Sequence, residues 1–233
     1  MGIVRQNDLG SRDACTARNA RIPPMASRKS AQARAKKIKL LMFDVDGVLT
    51  DGKLFIFPAP AGQNSLSQAI PDAPQGGFAF QSQSMIEAKG FHAHDGIGVS
   101  LARLAGIKTG LITKRVSETV ALRARDLKLE HIYQGIQDKR TCFEEVMRLD
   151  GIAPDEAAFV GDDIIDIPAM LAGGLAIAVK NARDEVKKVA HYVTPHSGGD
   201  GAGRDAIEFI LKAQGKWKRV LDQYMKLRTP SVQ

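Results

Sequence analysis

Cysteine is nearly absent from this chain: Cys15 and Cys142 are the only two among 233 residues. So few thiols argue against a disulfide framework and for a reducing, cytoplasmic setting. Long apolar runs are missing as well. No stretch approaches the ~20 residues of a membrane span, so no membrane partner is expected, and the first 24 residues lack the continuous apolar core of a secretion signal. Aromatic residues are scarce, at 6% with a single Trp. No internal repeat is evident. What remains, 44% hydrophobic and 25% charged residues, is the composition of a globular protein.

The net charge of +7 would suggest a nucleic-acid partner if it were spread over the body. It is not. Residues 1–39 hold ten of the 33 Lys and Arg against only Asp8 and Asp13, which leaves 23 basic and 24 acidic residues for the rest. Residues 1–37 are polar, basic and aperiodic, with Pro23-Pro24 as a breaker, and read as a disordered extension. No aromatics interleave its charges, as single-strand binding favours, so nucleic acid is an unlikely partner. A scaffold or nucleic-acid protein acting through this extension is the alternative of another class, and predicts salt-sensitive binding without catalysis.

The body, residues 38–214, alternates strand and helix, and residues 215–233 read as a C-terminal extension. Lys39–Phe43 is an apolar strand, and Lys53–Phe57 with a partner near Ser84–Lys89 reads as a hairpin. Between those arms, residues 58–83 are rich in Pro, Gly, Ala, Gln and Ser, the composition of a flexible insertion. A helix is expected from Asp95 to Ala105, then a strand over Lys108–Thr113 and a helix from Ser117 to Leu127. His131–Tyr133, Ala157–Val160, Leu175–Val179 and His191–Val193 read as further strands. Helices are expected after Asp138, near Ile164, over Ala182–Val189 and over Asp205–Gln214. This alternation implies an α/β fold with a doubly wound parallel sheet.

Acids at strand ends mark the site, because ligands of such sheets gather at the carboxyl ends of the strands. Asp44 and Asp46 follow the first strand at i, i+2, where two carboxylates can hold a cation, attack phosphorus and handle a proton. They could also simply cap a turn. Thr113 ends a strand, and its hydroxyl suits a phosphate oxygen or a helix cap. Lys139 opens a helix as a point charge for phosphate, though alone it would pass for a surface lysine. Gly161-Asp162-Asp163-Ile164-Ile165-Asp166 again follows an apolar strand. Three acids within five residues repel unless a cation sits among them, and Asp163 and Asp166 would share one helix face. With Asp44, an all-oxygen site suited to Mg²⁺ results.

In this order, the Asp44–Thr50 motif, Ile112-Thr113, Lys139 and Gly161–Asp166 resemble the four motifs of the haloacid dehalogenase superfamily of phosphotransferases. Phe43–Gly52, Phe91–Gly96, Tyr133-Gln134-Gly135, Gly161–Pro168, Ala190–Thr194 and Gly198–Ala202 further resemble its 3-deoxy-D-manno-octulosonate 8-phosphate (KDO 8-phosphate) phosphatases, with nonulosonate 9-phosphate phosphatases as the alternative. The resemblance implies a Rossmann-like sheet with a β-hairpin flap and no separate cap domain, assembled as a homotetramer. It implies Asp44 as nucleophile and Asp46 as general acid and base. Mg²⁺ would be held by Asp44, the backbone carbonyl of Asp46 and Asp162, with Asp163 and Asp166 supporting its water shell or orienting Lys139. Thr113 and Lys139 would hold the phosphoryl group of a phosphosugar. Asp95, Gly96, Arg115 and Arg204 are candidate contacts for the sugar acid. The chain departs from the family pattern at His94, at Lys114 and in the insertion.

Overall fold

The computed structural model describes residues 28–58 and 85–228. The insertion (apart from Pro58) and most of the basic extension lie outside the described residues.

Six strands form one parallel sheet: β1 (Leu40–Phe43), β4 (Lys108–Ile112), β5 (His131–Tyr133), β6 (Ala157–Gly161), β7 (Leu175–Ala178) and β8 (Tyr192–Val193). Their order across the sheet is β5-β4-β1-β6-β7-β8. The chain therefore starts in the middle, winds outward to β5, returns beside β1 and winds out again to β8. That reversal makes a crevice between β1 and β6 at their carboxyl ends. Every residue of β1, β6 and β7 is buried, as expected of central parallel strands covered on both faces.

The helices that cover the sheet are set by local chemistry. α2 (Ala93–Leu104) is capped by His92, and α3 (Glu118–Asp126) by Ser117, whose hydroxyl accepts from Val120 N. α4 (Lys139–Asp150) is capped by Asp138 and stopped by Gly151 at φ 63°. α5 (Ile167–Ala172), α6 (Asp184–Val189) and α7 (Ala202–Ala213) follow. Phe143 of α4 meets Phe159 of β6 edge to face inside the core. Beyond the sheet, β2 (Phe55–Pro58) and β3 (Met85–Ala88) pair antiparallel as a separate hairpin. Among the described residues no helix is long and apolar enough to cross a membrane.

Four expectations need correction. Residues 28–35 are not disordered: they form α1 (Arg28–Ala35), with Ala31 and Ala35 fully buried and Gln214 Nε2 donating to Ala35 O. Ala31 and Ala35 are four apart, and the many charges around them hide that short apolar edge from a composition reading. Residues 217–228 form a helix, α8 (Trp217–Arg228), whose Val220 is fully buried, so the body continues past 214. α7 begins at Ala202, not Asp205. The segment after Asp163 is a 3₁₀ turn, Ile164–Asp166, before α5. Asp163 is its N-cap and Asp166 its last residue, so the two acids do not share a helix face.

Candidate active site

The pairing of β1 with both neighbours delivers Asp44 to the crevice. Phe43 is level with Leu111 of β4 and Val160 of β6, and Asp44 N donates to Val160 O at 3.0 Å. Asp162, directly after β6, and Asp166 lie across from it. Asp44, Asp162 and Asp166 each bring a carboxylate oxygen within 4.8 Å of the others. Lys139 reaches into this group from α4, with Nζ 2.8 Å from Asp44 Oδ1 and 2.6 Å from Asp166 Oδ1.

Glycines make this approach sterically open. Gly47 has φ +90°, and a Cβ on it would sit 2.7 Å from Asp162 Cγ; one on Gly161 would sit 2.8 Å from Asp166 Cγ. Any side chain at either position would therefore push a carboxylate out of the cluster. Asn181, just beyond β7, ties the same loop down. Its Nδ2 donates to Gly47 O at 3.0 Å and its Oδ1 accepts from Gly198 N at 2.6 Å.

Three acids face one ammonium, and the electrostatics show the imbalance. Burial, then the charge of Asp166, push the Asp44 carboxyl up to about 7 against the pull of Lys139. Asp162 is raised to about 7 by burial, then by Asp44 and Asp166. Burial opposes the charge on Lys139, but Asp44 and Asp166 outweigh it and raise its pKa. Lys139 alone thus does not keep Asp44 ionised near neutrality. Asp162 Oδ1 is buried and without a hydrogen-bond partner, which is a cost unless something else binds it. Hard carboxylate oxygens and an uncompensated negative charge fit a divalent cation of the Mg²⁺ type.

The three acids are not equivalent. Asp166 is fully buried and already engaged, with Oδ1 on Lys139 and Oδ2 accepting from Asp162 N at 3.0 Å and Asp163 N at 3.2 Å. It therefore orients Lys139 and shapes the turn. Asp163 is exposed and accepts from its own neighbour, Ile164 N, at 2.7 Å; it does not join the cluster.

Asp46 stands apart from the acid cluster. Its carboxylate is paired with Lys89, at the end of β3, and Oδ2 lies 3.7 Å from Arg115 Nε. Thr113 is buried at the end of β4, with its carbonyl accepting from Ile136 N at 3.1 Å; it caps no helix, since Ser117 does that. Arg115 is therefore the one sugar-acid candidate that the fold brings to Asp46. Asp95, Gly96 and Arg204 go elsewhere. Asp95 Oδ1 accepts from Arg204 N at 2.8 Å, binding the start of α7 to α2. The Arg204 guanidinium engages Glu208 at 2.8 Å and lies over Trp217. Gly96 faces Leu127 and Arg123 of the α3 region. Within one chain Asp95 and Arg204 form a joint between α2 and α7, and Gly96 packs toward α3.

Two participants, Lys89 and Asn181, escape sequence reasoning. Asn181 could have been flagged, because it follows β7 at the same sheet edge as the acids. Lys89 carries no such signal: it directly follows a four-residue hairpin strand, and only the folded hairpin shows where it reaches.

The chain matches the family of haloacid dehalogenase-like hydrolases over residues 110–204. It is 36% identical over 184 residues to the 3-deoxy-D-manno-octulosonate 8-phosphate phosphatase KdsC of Escherichia coli K12, covering 79% of this chain and 85% of that protein. The fold superposes with a TM-score of 0.70 on the corresponding phosphatase from Moraxella catarrhalis, solved with magnesium, phosphate and KDO. That match has 32% identity and covers 84% of this chain and 98% of the other. A cobalt-bound phosphatase of the same kind from Haemophilus influenzae gives a TM-score of 0.64 at 31% identity, over 78% of this chain and 92% of its own.

Proposed function

We propose, on the premise that this chain belongs to the haloacid dehalogenase-like hydrolases and among them to the KDO 8-phosphate phosphatases, that it hydrolyses KDO 8-phosphate to KDO and phosphate with Mg²⁺. The observation that carries the reading is the meeting of Asp44 and Asp162 from adjoining strands, with Lys139 on Asp44.

In this reading a carboxylate oxygen of Asp44 attacks phosphorus and the bond to the sugar oxygen breaks. Asp46, two residues on, gives its proton to the departing alkoxide, a poor leaving group that requires one. Asp46 then takes a proton from water, which attacks the aspartyl-phosphate, releases phosphate and regenerates Asp44. Lys139 and Thr113 hold the phosphoryl oxygens, on which charge is spread as the group transfers. Mg²⁺, when held by Asp44, Asp162 and the backbone carbonyl of Asp46, supplies the positive charge that keeps Asp44 ionised and neutralises the phosphoryl group. Arg115 offers a planar fork to the sugar acid. Asp163 stays outside this scheme.

The hairpin would pack against other subunits of a homotetramer in the cytoplasm. Its Phe55, Ile56 and Phe57 are 47%, 45% and 50% exposed, an apolar strip that a single chain leaves in water. Asp95 and Arg204 would contribute to a site only through such an assembly.

The test is phosphate release from KDO 8-phosphate and from a nonulosonate 9-phosphate, with and without Mg²⁺. Preference for the first, dependent on Mg²⁺, is expected. Equal or reversed preference rejects the substrate, and no release from either rejects the phosphatase.

A further inference from the structure

Among the described residues, Lys89 is the one cation that the hairpin sends into the site, and its placement is unusual. Much of the hairpin is exposed, with Phe55 at 47% and Ile86 at 41%. Yet its own side chain is fully buried. The ammonium is held by Asp46 Oδ1 and, at 3.4 Å, by Glu87 Oε1. Arg115 approaches the other oxygen of Asp46. Both oxygens of the carboxylate that must reach the sugar oxygen therefore face a cation.

A desolvated ion pair contributes little net stability compared with apolar packing of the same volume. The hairpin, which forms no strand pairing with the main sheet, is joined to the body here by Lys89, by the Thr50–Phe91 bridge and by Thr119 Oγ1 donating to Glu87 O at 3.4 Å. An already desolvated ammonium needs only a better anion to change partners. A phosphate ester placed for attack by Asp44 presents one within reach of Asp46, carrying up to two negative charges where Asp46 carries one.

We propose that Lys89 is a substrate-binding residue: paired with Asp46 in this structure, its ammonium moves onto the peripheral oxygens of the incoming phosphate ester and frees Asp46 for the leaving oxygen. This rests on the phosphatase reading above and adds a hairpin-borne contact to the phosphoryl group. No covalent step is involved; one ion pair replaces another.

The test compares wild type with Lys89→Met and Lys89→Arg, using KDO 8-phosphate kinetics with Mg²⁺ and, separately, calorimetric binding of inorganic phosphate to the Mg²⁺-loaded protein. Lys89→Met is expected to raise KM and weaken phosphate binding by roughly tenfold or more, the size of one charge-assisted hydrogen bond, with kcat changed by no more than about threefold. Lys89→Arg, which keeps the charge but replaces the compact ammonium with a larger planar fork, is expected to recover part of the phosphate affinity that Lys89→Met loses. If Lys89→Met leaves phosphate binding and KM unchanged, or lowers kcat alone, Lys89 does not bind the substrate and the proposal falls. A wild type inactive on KDO 8-phosphate would sink the substrate assignment, while the phosphate-binding arm would still decide the role of Lys89. If Lys89→Met fails to fold, Lys89→Gln takes its place in both measurements.

Discussion

Asp44 and Asp46 are separated by one residue and live in opposite environments. Asp44 is buried among two other acids with a single ammonium for relief, and its pKa climbs to about 7. Asp46 is partly exposed, outside the acid cluster, with Lys89 on one side and Arg115 on the other. The difference arises because β1 stops at Phe43. Asp44 still pairs with Val160 and stays at the sheet edge, whereas Asp46 belongs to the loop and turns toward the hairpin. One environment needs an added cation, and the other is supplied with them. With a cation bound beside Asp44 and Lys89 drawn off Asp46, the two carboxylates can divide two tasks, one ionised for attack and one exchanging a proton.

The sharpest way to break the contrast is Asp44→Asn. It removes the attacking oxygen, and activity on KDO 8-phosphate should fall about 10⁴-fold or more, with circular dichroism unchanged. Residual turnover near that of wild type would show that Asp44 is not the nucleophile. Asp46→Asn should cost roughly 10² to 10⁴ in kcat on the sugar phosphate, but far less on p-nitrophenyl phosphate, whose leaving group needs no proton. An equal loss on both esters would exclude the acid role.

Lys139→Met tests the acid cluster from the other side. It leaves Asp44 and Asp166 buried without their shared cation, and denaturant unfolding in EDTA should show a loss of about 3–5 kcal/mol. Mg²⁺ should restore part of that stability, since a ligand that binds only the folded state stabilises it. Failure of Mg²⁺ to do so would count against a cation among Asp44, Asp162 and Asp166.

The smallest effect lies away from the site and serves as a control on its pH dependence. Burial, then the charge of Arg34, lower the His191 ring to about 4, and its Nδ1 accepts from Ala176 N at 3.0 Å, linking β7 to β8. The unfolded chain binds the His191 proton near 6.5 and the folded chain only near 4. This contribution is therefore complete above about 6.5 and lost as pH falls to about 4. Asp44 and Asp162 act in the opposite sense, since their raised carboxyls take up protons on folding between about 4 and 7. Comparing His191→Asn with wild type isolates the histidine, and the mutant should lose about 1 kcal/mol less stability than wild type over that range, a figure reduced for a half-buried ring. Identical slopes would show that His191 does not titrate with folding.

Much of this was legible in the residues themselves. Apolar runs ending in acids, with Gly47 and Gly161 beside them, are strong local signals, because a strand interior rejects charge and a carboxylate cluster rejects a nearby Cβ. The alternation of those strands with helices and the cap Asp138 follow from the same local rules. Less legible was α1, whose two buried alanines are diluted by basic neighbours. The placement of Asp163 was also misread, since spacing alone does not tell a 3₁₀ turn from an α-helix. Arg204 and Asp95 are candidate substrate contacts by resemblance; within one chain the Arg204 backbone N–H donates to Asp95 while its guanidinium engages Glu208, a partnership that no local spacing announces.

That carboxylates, a threonine and a lysine collect at one edge of a parallel sheet follows from the order of residues alone, because strand ends and helix starts are encoded within a few residues. Which acids share a lysine, which oxygen of Asp162 is left without a partner, and that a hairpin lysine reaches Asp46 emerge from packing in three dimensions. Those outcomes depend on contacts between segments far apart in the chain, such as Lys139 with Asp44 and Lys89 with Asp46. Long-range electrostatic and steric balance, unlike a cap or a turn, is not written in any one stretch of chain.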